Sequence, residues 1–316
     1  MADRIDQDPA NDGIDRRGFL KCMAWVGTGV LWTVSGGILT SRAFGADSAT
    51  DVKGDFTFAQ ISDSHIGFSK EVNKDVAGTL QLAIDRINAM PHRPDLLIHT
   101  GDLTHLSKPA EFDTVDQIVK GAKVSRSFYV PGEHDIFTDD GKSYLERHGK
   151  GTQGQGWHSY DYKGVHFIGL VNVANLKPGG LGVLGSDQLD WLKKDVESLG
   201  SSTPIVVYAH VPLWTVFEKW GWGTQDSEQA LLLLKKFGSV TVLNGHIHQV
   251  LQKTEGNITF HTACSTAFPQ PAPGTAESPG PMKNVPAGKL RSLLGLRTVN
   301  YVENKGSLAI VDASLE

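Results

Sequence analysis

The stretch FTFAQISDSH, residues 56 to 65, runs from an apolar, aromatic segment straight into Asp63-Ser64-His65. A short β-prone run that ends abruptly in polar side chains reads as a buried strand feeding a functional loop. The pattern recurs along the chain in DLLIHTGD (95–102), SRSFYVPG (125–132), VHFIGL (165–170), PIVVYAH (204–210) and VTVLNGH (240–246). SLAIVDASL (307–315) supplies a last strand. Helical spacing intervenes. Residues 72 to 89 put Val72, Val76, Leu80, Ala83, Ile84 and Ile87 on one face, and residues 187 to 199 do the same with Leu189, Leu192, Val196 and Leu199 after Ser186 as N-cap. A third helix is expected from Ser227 to Phe237, capped by Asp226. Strand alternating with helix predicts an α/β domain.

Five of these strands end in the same chemistry. They run into Asp63 and His65, into Gly101-Asp102, into Gly132-Glu133-His134-Asp135, into His210, and into Gly245-His246-Ile247-His248. In α/β folds the carboxyl ends of neighbouring strands line one crevice, so these side chains are expected to meet. Carboxylates and imidazoles without thiolates suit zinc, manganese or iron. Asp63 and His65, two apart on an extended chain, face one side, as do His246 and His248. The glycines before Asp102, Glu133 and His246 are expected to let the backbone turn sharply. Asp63, His65, Asp102, Glu133, His210, His246 and His248 make seven candidate ligands, too many for one tetrahedral ion and suited to two ions that share a bridge.

The ordered blocks DSH, GDL, GEHD, AHVP and GHIH, over about residues 56 to 265, resemble the calcineurin-like metallophosphoesterase family. QISDSH with HTGDLTHLSKPAEF is similar to its cyclic-nucleotide phosphodiesterase-like branch. The resemblance implies a four-layer α/β/β/α sandwich of two mixed sheets flanked by helices. It implies dimetal-dependent hydrolysis of a phosphodiester or phosphomonoester by attack of a metal-activated hydroxide, with Asp63, His65 and His248 on the first metal. Asp102 would bridge, and His210, His246 and the residue at position 133 would hold the second. His134 would be the catalytic imidazole that stabilises the transition state or protonates the leaving oxygen, and Asp135 would orient without ligating. Two cations about 3.5–4 Å apart can clamp a phosphoryl group and activate water between them.

The chain departs from the family at Glu133, where the pattern has Asn. Three carboxylates then surround the pair instead of two, which points to an altered metal preference such as ferric iron. The alternative is a periplasmic metal-binding or interaction protein with weak or no hydrolysis. His105 and Trp214 are candidate substrate contacts, each with a competing role in ordinary loop packing, whereas His99 reads as structural. His92, His148, His158, His166 and His261 carry no signal.

The rest of the chain bounds location and partners. Arg16-Arg17 with Phe19, Leu20 and Lys21, a Gly-diluted apolar run and SRAFGA resemble a twin-arginine signal over residues 1–46, with Asp15 departing from the usual Ser or Thr. Cleavage is expected near Gly45 or Ala46, leaving a domain from 47 to 316 exported by the twin-arginine machinery to the periplasm. A membrane enters only if the run, near the ~18 residues that just span a bilayer, stays uncleaved as an anchor. Of two cysteines, Cys22 lies in the signal, so the mature chain keeps Cys264 alone and forms no internal disulfide. A net charge of -5 without a basic cluster excludes a nucleic-acid backbone as the main partner. Six prolines between Pro269 and Pro286 predict an irregular surface loop over about 269–288.

Overall fold

The computed structural model describes residues 30–35, 38–43, 56–176, 179–302 and 308–316. The chain divides into two units, Met1–Thr50 and Asp51–Glu316. In the first, β1 (Val30–Ser35) and β2 (Ile38–Ala43) pair antiparallel. The paired arginines and the expected cleavage site at Gly45 or Ala46 lie outside the described residues. Among the described residues, no helix is long and apolar enough to cross a membrane.

The second unit is built on β3 (Phe56–Ile61), the strand of the opening stretch. All six of its residues are buried, because Phe56 and Phe58 face one layer while Ala59 and Ile61 face another. β3 pairs in parallel with β4 (Leu96–His99), which pairs in parallel with β5 (Arg126–Tyr129). Helices α1 (Val76–Ala89) and α2 (Pro109–Val119) make the two crossovers, and both pack on the Ala59, Ile61 and Leu97 face. The other sheet contains β6 (His158–Tyr162), β7 (Val165–Gly169), β8 (Ile205–Ala209), β9 (Val240–Asn244), β10 (Gln252–Glu255) and β11 (Ile258–Thr262), in the order β10-β11-β9-β8-β7-β6. Its three central pairings are parallel and both edge pairings antiparallel. β12 (Gly295–Tyr301) and β13 (Ala309–Ser314) complete the first sheet as β13-β12-β3-β4-β5.

The two sheets pack face to face through Phe56, Phe58, Ile98, Phe167, Val206 and Leu243. The outer face of the second sheet is covered by α5 (Ser186–Glu197) and α6 (Ser227–Leu234) through Leu192, Val196, Ala230 and Leu234. Two short helices, α3 (Glu133–Ile136) and α4 (Lys142–His148), follow β5, and α7 (Leu290–Leu293) precedes β12. The result is a four-layer α/β/β/α sandwich of two mixed sheets. Truncating a ring such as Phe58, fully buried between the sheets, is worth roughly 3–5 kcal/mol of stability.

Several local expectations are corrected. α1 begins at Val76, not Val72, because the Asp75 carboxylate accepts the Gly78 N–H at 2.8 Å and starts the helix there. Ser186 is the first helical residue and not a cap; Gly185, at φ 84°, makes the turn before it. Asp226 stands at the N-cap position of α6 as expected, but its carboxylate accepts from the Leu184 and Gly185 amides, both at 2.9 Å, so it ties α5 to α6 and makes no side-chain cap bond. α6 stops at Leu234, and Phe237 reaches the core from the turn beyond. Residues 269–288 contain no helix or strand, as their prolines predict.

Candidate metal centre

The strands that carry site chemistry run parallel to one another within each sheet, β3, β4 and β5 in one and β8 and β9 in the other, so the carboxyl ends of each group lie together. The loops beyond are stitched together by backbone. Asp63 N–H donates to Gly101 O at 3.0 Å, His65 N–H to Asp102 O at 2.9 Å, and Gly245 N–H to His210 O at 3.0 Å. Asp63 (φ 54°), His65 (41°), Asp102 (52°), His246 (68°) and His248 (52°) are all left-handed. The extended-chain argument for the two Asp/His and His/His pairs is therefore corrected: each pair converges because its backbone is strained, at a cost that the surrounding fold must offset. Of the three glycines, Gly101 makes its turn at φ 97° as expected, while the other two act differently. A Cβ on Gly132 would stand 2.1 Å from Asp102 Oδ1, and one on Gly245 2.6 Å from Asp63 Oδ2, so at these two positions the need is close approach.

The seven candidate ligands come together in two sets. Asp63, His65 and His248 form one, with His248 Nε2 3.3 Å from Asp63 Oδ1 and from His65 Nε2. Glu133, His210 and His246 form the other, with Glu133 Oε2 3.0 Å from His210 Nε2 and Oε1 3.1 Å from His246 Nδ1. Asp102 stands between them, its Oδ2 3.4 Å from both His65 Nε2 and His210 Nε2.

Hydrogen bonds behind the rings fix which nitrogen faces inward. His210 Nδ1–H donates to Thr100 O at 2.7 Å and His248 Nδ1–H to Phe268 O at 2.6 Å, which turns each Nε2 toward the carboxylates, where the neutral ring offers its lone pair. Glu133 Oε2, buried and 3.0 Å from one such nitrogen, receives no hydrogen bond. Lone pairs of nitrogen and oxygen converging on two points are what a pair of cations satisfies, and the absence of sulfur suits manganese, zinc or iron. The residues fit two ions.

Electrostatics agree. Burial pushes the Glu133 and Asp63 carboxyls up, but His246 and His210 around Glu133, and His248 and His210 around Asp63, hold both below the usual carboxylate range. Burial disfavours a charged His210, yet Asp102 and Glu133 raise it well above the ordinary imidazole value. His65 is held well below that value by burial and by the histidines around it. Cations arriving here would displace protons from a cluster already arranged for positive charge.

The remaining predicted residues fall around this core. His134 N–H donates to Asp102 Oδ1 at 2.9 Å and its Nδ1–H to His105 O at 2.7 Å, so its Nε2 is left unclaimed by either bond. Asp135 is fully buried and accepts from the amides of Leu103, Thr104 and Gly132 at 2.8–3.0 Å, tying the Asp102 loop to the Glu133 loop. Burial and the nearby Asp102 carry it up to about 7. His105 stacks on His134 with ring centres 4.9 Å apart, and its Nδ1 is 3.5 Å from that of His65. Trp214 packs on Phe260 at 5.2 Å in the helix-covered core, which gives it a packing role. His99 is fully buried, with Nε2 2.9 Å from Ser64 Oγ, and burial lowers it to about 3. Cys264, partly buried, is a free thiol pushed up to about 12 by burial. Sequence reasoning missed the carbonyls of Thr100 and Phe268 that orient the histidines; backbone acceptors have no residue-type signature.

A sandwich of two mixed sheets with carboxylates and imidazoles gathered at the strand ends defines a metal-dependent phosphoric ester hydrolase. Residues 56–250 match the calcineurin-like phosphoesterases, and the chain belongs to that family. The probable glycerophosphodiester phosphodiesterase GpdQ of Arcobacter nitrofigilis is 28% identical over 213 residues, 65% of this chain and 77% of its own. The 3',5'-cyclic adenosine monophosphate phosphodiesterase CpdA of Pseudomonas aeruginosa is 24% identical over 234 residues, 69% and 78% of the two chains. A dimetal phosphatase from Danio rerio shares the fold, with a TM-score of 0.61 at 15% identity over 84% of this chain and 98% of that one.

Proposed function

We propose that the chain hydrolyses a phosphodiester at a two-cation centre. The observation that carries this reading is the placement of Asp102 Oδ2 3.4 Å from both His65 Nε2 and His210 Nε2, which joins two three-residue donor sets into one. Asp63, His65 and His248 would hold one ion, Glu133, His210 and His246 the other, and Asp102 both. When bound, such ions neutralise phosphoryl charge and lower the pKa of water. The chain itself does the rest. Asp135 fixes the two loops against each other, and the His105 carbonyl fixes the His134 ring so that Nε2 can deliver a proton to the departing oxygen. Three carboxylates in the centre favour a singly charged diester over a doubly charged monoester and favour iron among the candidate metals. Two relatives that bear phosphodiesterase names support the diester.

The test is hydrolysis of a chromogenic diester by the chain loaded separately with manganese, zinc and iron. His134→Ala is expected to lose about 10²–10⁴-fold in rate while keeping its metals. Bound metal without turnover of diester or monoester would instead favour a metal-binding protein, with Glu133 as the cause.

Arg16-Arg17 supports export in folded form to the periplasm, with the cations acquired beforehand. Replacing both arginines with lysine should strand the protein in the cytoplasm on fractionation. Unchanged export would exclude that route.

A further inference from the structure

Among the described residues three large apolar side chains stand in solvent: Leu106 at 37%, Phe137 at 74% and Leu232 at 55% exposure. Leu232 is on α6, the helix that covers the outer face of the second sheet. The other two belong to the loops that carry His105 and His134. They are also held in place. Leu106 N–H donates to Glu111 Oε2 at 2.8 Å, Phe137 N–H donates to Ser107 Oγ at 2.9 Å, and that hydroxyl donates to His134 O at 2.7 Å. Ser107, next in sequence to Leu106, thus fastens Phe137 to the same few residues.

Behind this pair, rings continue inward to the metal centre. His134 stacks on His105 at 4.9 Å, Phe68 meets His105 edge-on at 5.3 Å, and Phe268 stacks on Phe68 at 4.3 Å and on His65 at 4.8 Å. One flank of the centre is therefore aromatic from His65 outward, and the loops beyond it carry two apolar side chains, on backbones tied by hydrogen bonds, that keep much of their surface in solvent. A single exposed apolar residue needs no explanation, but a pair pinned beside a reacting group does.

We infer that Leu106 and Phe137 seat an apolar ester arm of the substrate, which makes the preferred class a phosphodiester carrying an aryl or extended alkyl group on its non-leaving oxygen. The inference rests on the phosphodiesterase reading and adds what that reading leaves open, the character of the second ester group. An arm there would lie over Phe137 and Leu106 while the phosphoryl group sits at the cations, and its apolar surface would leave water together with theirs.

The experiment is a series of 4-nitrophenyl alkyl phosphates from methyl to octyl, hydrolysed by the full chain loaded with manganese, below concentrations at which the octyl ester aggregates. All members share one leaving group, so only the arm varies. kcat/KM is expected to rise about twofold per methylene over the first several carbons, half of what full burial of each would give. The double variant Leu106→Ala, Phe137→Ala should lower the octyl-to-methyl ratio at least about fivefold, and Leu232→Ala should leave it unchanged. Because the ratio is taken within each protein, a general loss of folded or metal-loaded enzyme cancels. A wild-type ratio near one, or an unchanged ratio in the double variant, overturns the seat while turnover of the methyl ester keeps the phosphodiesterase reading standing. No hydrolysis of any member by the chain loaded with manganese, zinc or iron overturns that reading and the inference with it.

Discussion

The two donor sets differ in how far they are closed to solvent. The side chains of Asp63, His65 and His248 are 0%, 3% and 1% exposed, whereas Glu133 and His246 keep 27% and 12%. The closed set is roofed by Phe268, whose carbonyl holds His248 and whose ring covers both histidines, at 4.8 Å from His65 and 4.7 Å from His248. In the other set His210 is also fully buried, so the opening lies at Glu133 and His246. One half of the centre is thus built into the core and the other faces incoming ligand, so the two positions should exchange cations at different rates and answer differently to mutation.

The largest effect should come from the closed half. His248→Ala is expected to lower hydrolysis on the order of 10³-fold and to leave metal content short however much cation is supplied, since several kcal/mol of charge stabilisation depend on that ion. His246→Ala should lose about 10–100-fold and one equivalent of metal, with recovery in excess cation. Metal stoichiometry by emission spectrometry beside initial rates decides this; equal losses in both variants would erase the distinction. Glu133→Asn sharpens it from the open side. Removing one negative charge there should weaken the second ion about tenfold and shift preference away from iron, with the closed set unchanged. An unaltered metal complement and rate would mean that Glu133 is no ligand.

The smallest effect lies outside both sets and checks that they can be separated from the scaffold. His166 on β7 bridges Asp161 at 2.8 Å and Asp195 at 2.9 Å, joining the edge hairpin to α5. Burial opposes its charge, but the hydrogen bonds it donates to Asp195 and Asp161 win and raise it. A raised folded value means that this latch contributes fully below pH about 6.5 and fades as pH rises through the shifted value. His166→Gln should therefore lower Tm by about 2–4 °C at pH 5.5 and less at pH 8.5, with metal content untouched. An equal loss at both pH values would mean that the imidazole charge is not what holds the hairpin.

Much of this was legible before any coordinates. Apolar runs ending in Asp, Glu or His mark buried strands wherever both faces are covered, as in β3 and β8, because such strands cannot alternate polar and apolar residues. The candidate site is legible in part for the same reason: the three parallel strands of one sheet, and the two of the other, each deliver their carboxyl ends together. What stays hidden is backbone geometry. The left-handed turns at Asp63, His65, His246 and His248 leave no trace in residue type, and the sequence-level argument had the right neighbours for the wrong conformation. α2 escaped notice although Pro109 opens it and Phe112, Val115 and Val119 carry its spacing, because GDLTHLSKP reads as loop up to the helix start. The order of the second sheet, with β11 beside β9, depends on contacts between distant segments that no local pattern encodes.

Arg297 has a consequence for how the molecule comes into being. Its guanidinium is wholly buried, donates to Asp312 at 2.8 Å and to Thr262 O at 2.8 Å, and reaches Gln60, 237 positions earlier, at 3.1 Å. Gln60 in turn donates to Thr100 Oγ1 and Asn244 O, the residues just ahead of Asp102 and His246. β12, which carries Arg297, also forms the antiparallel partner of β3. A ribosome that has delivered every candidate ligand by residue 248 has still not delivered the strand that closes their sheet. Nascent chains must wait, with one edge of β3 unpaired, until β12 (Gly295–Tyr301) is made, and such distant pairing folds slowly. The centre is encoded before the strand that braces it.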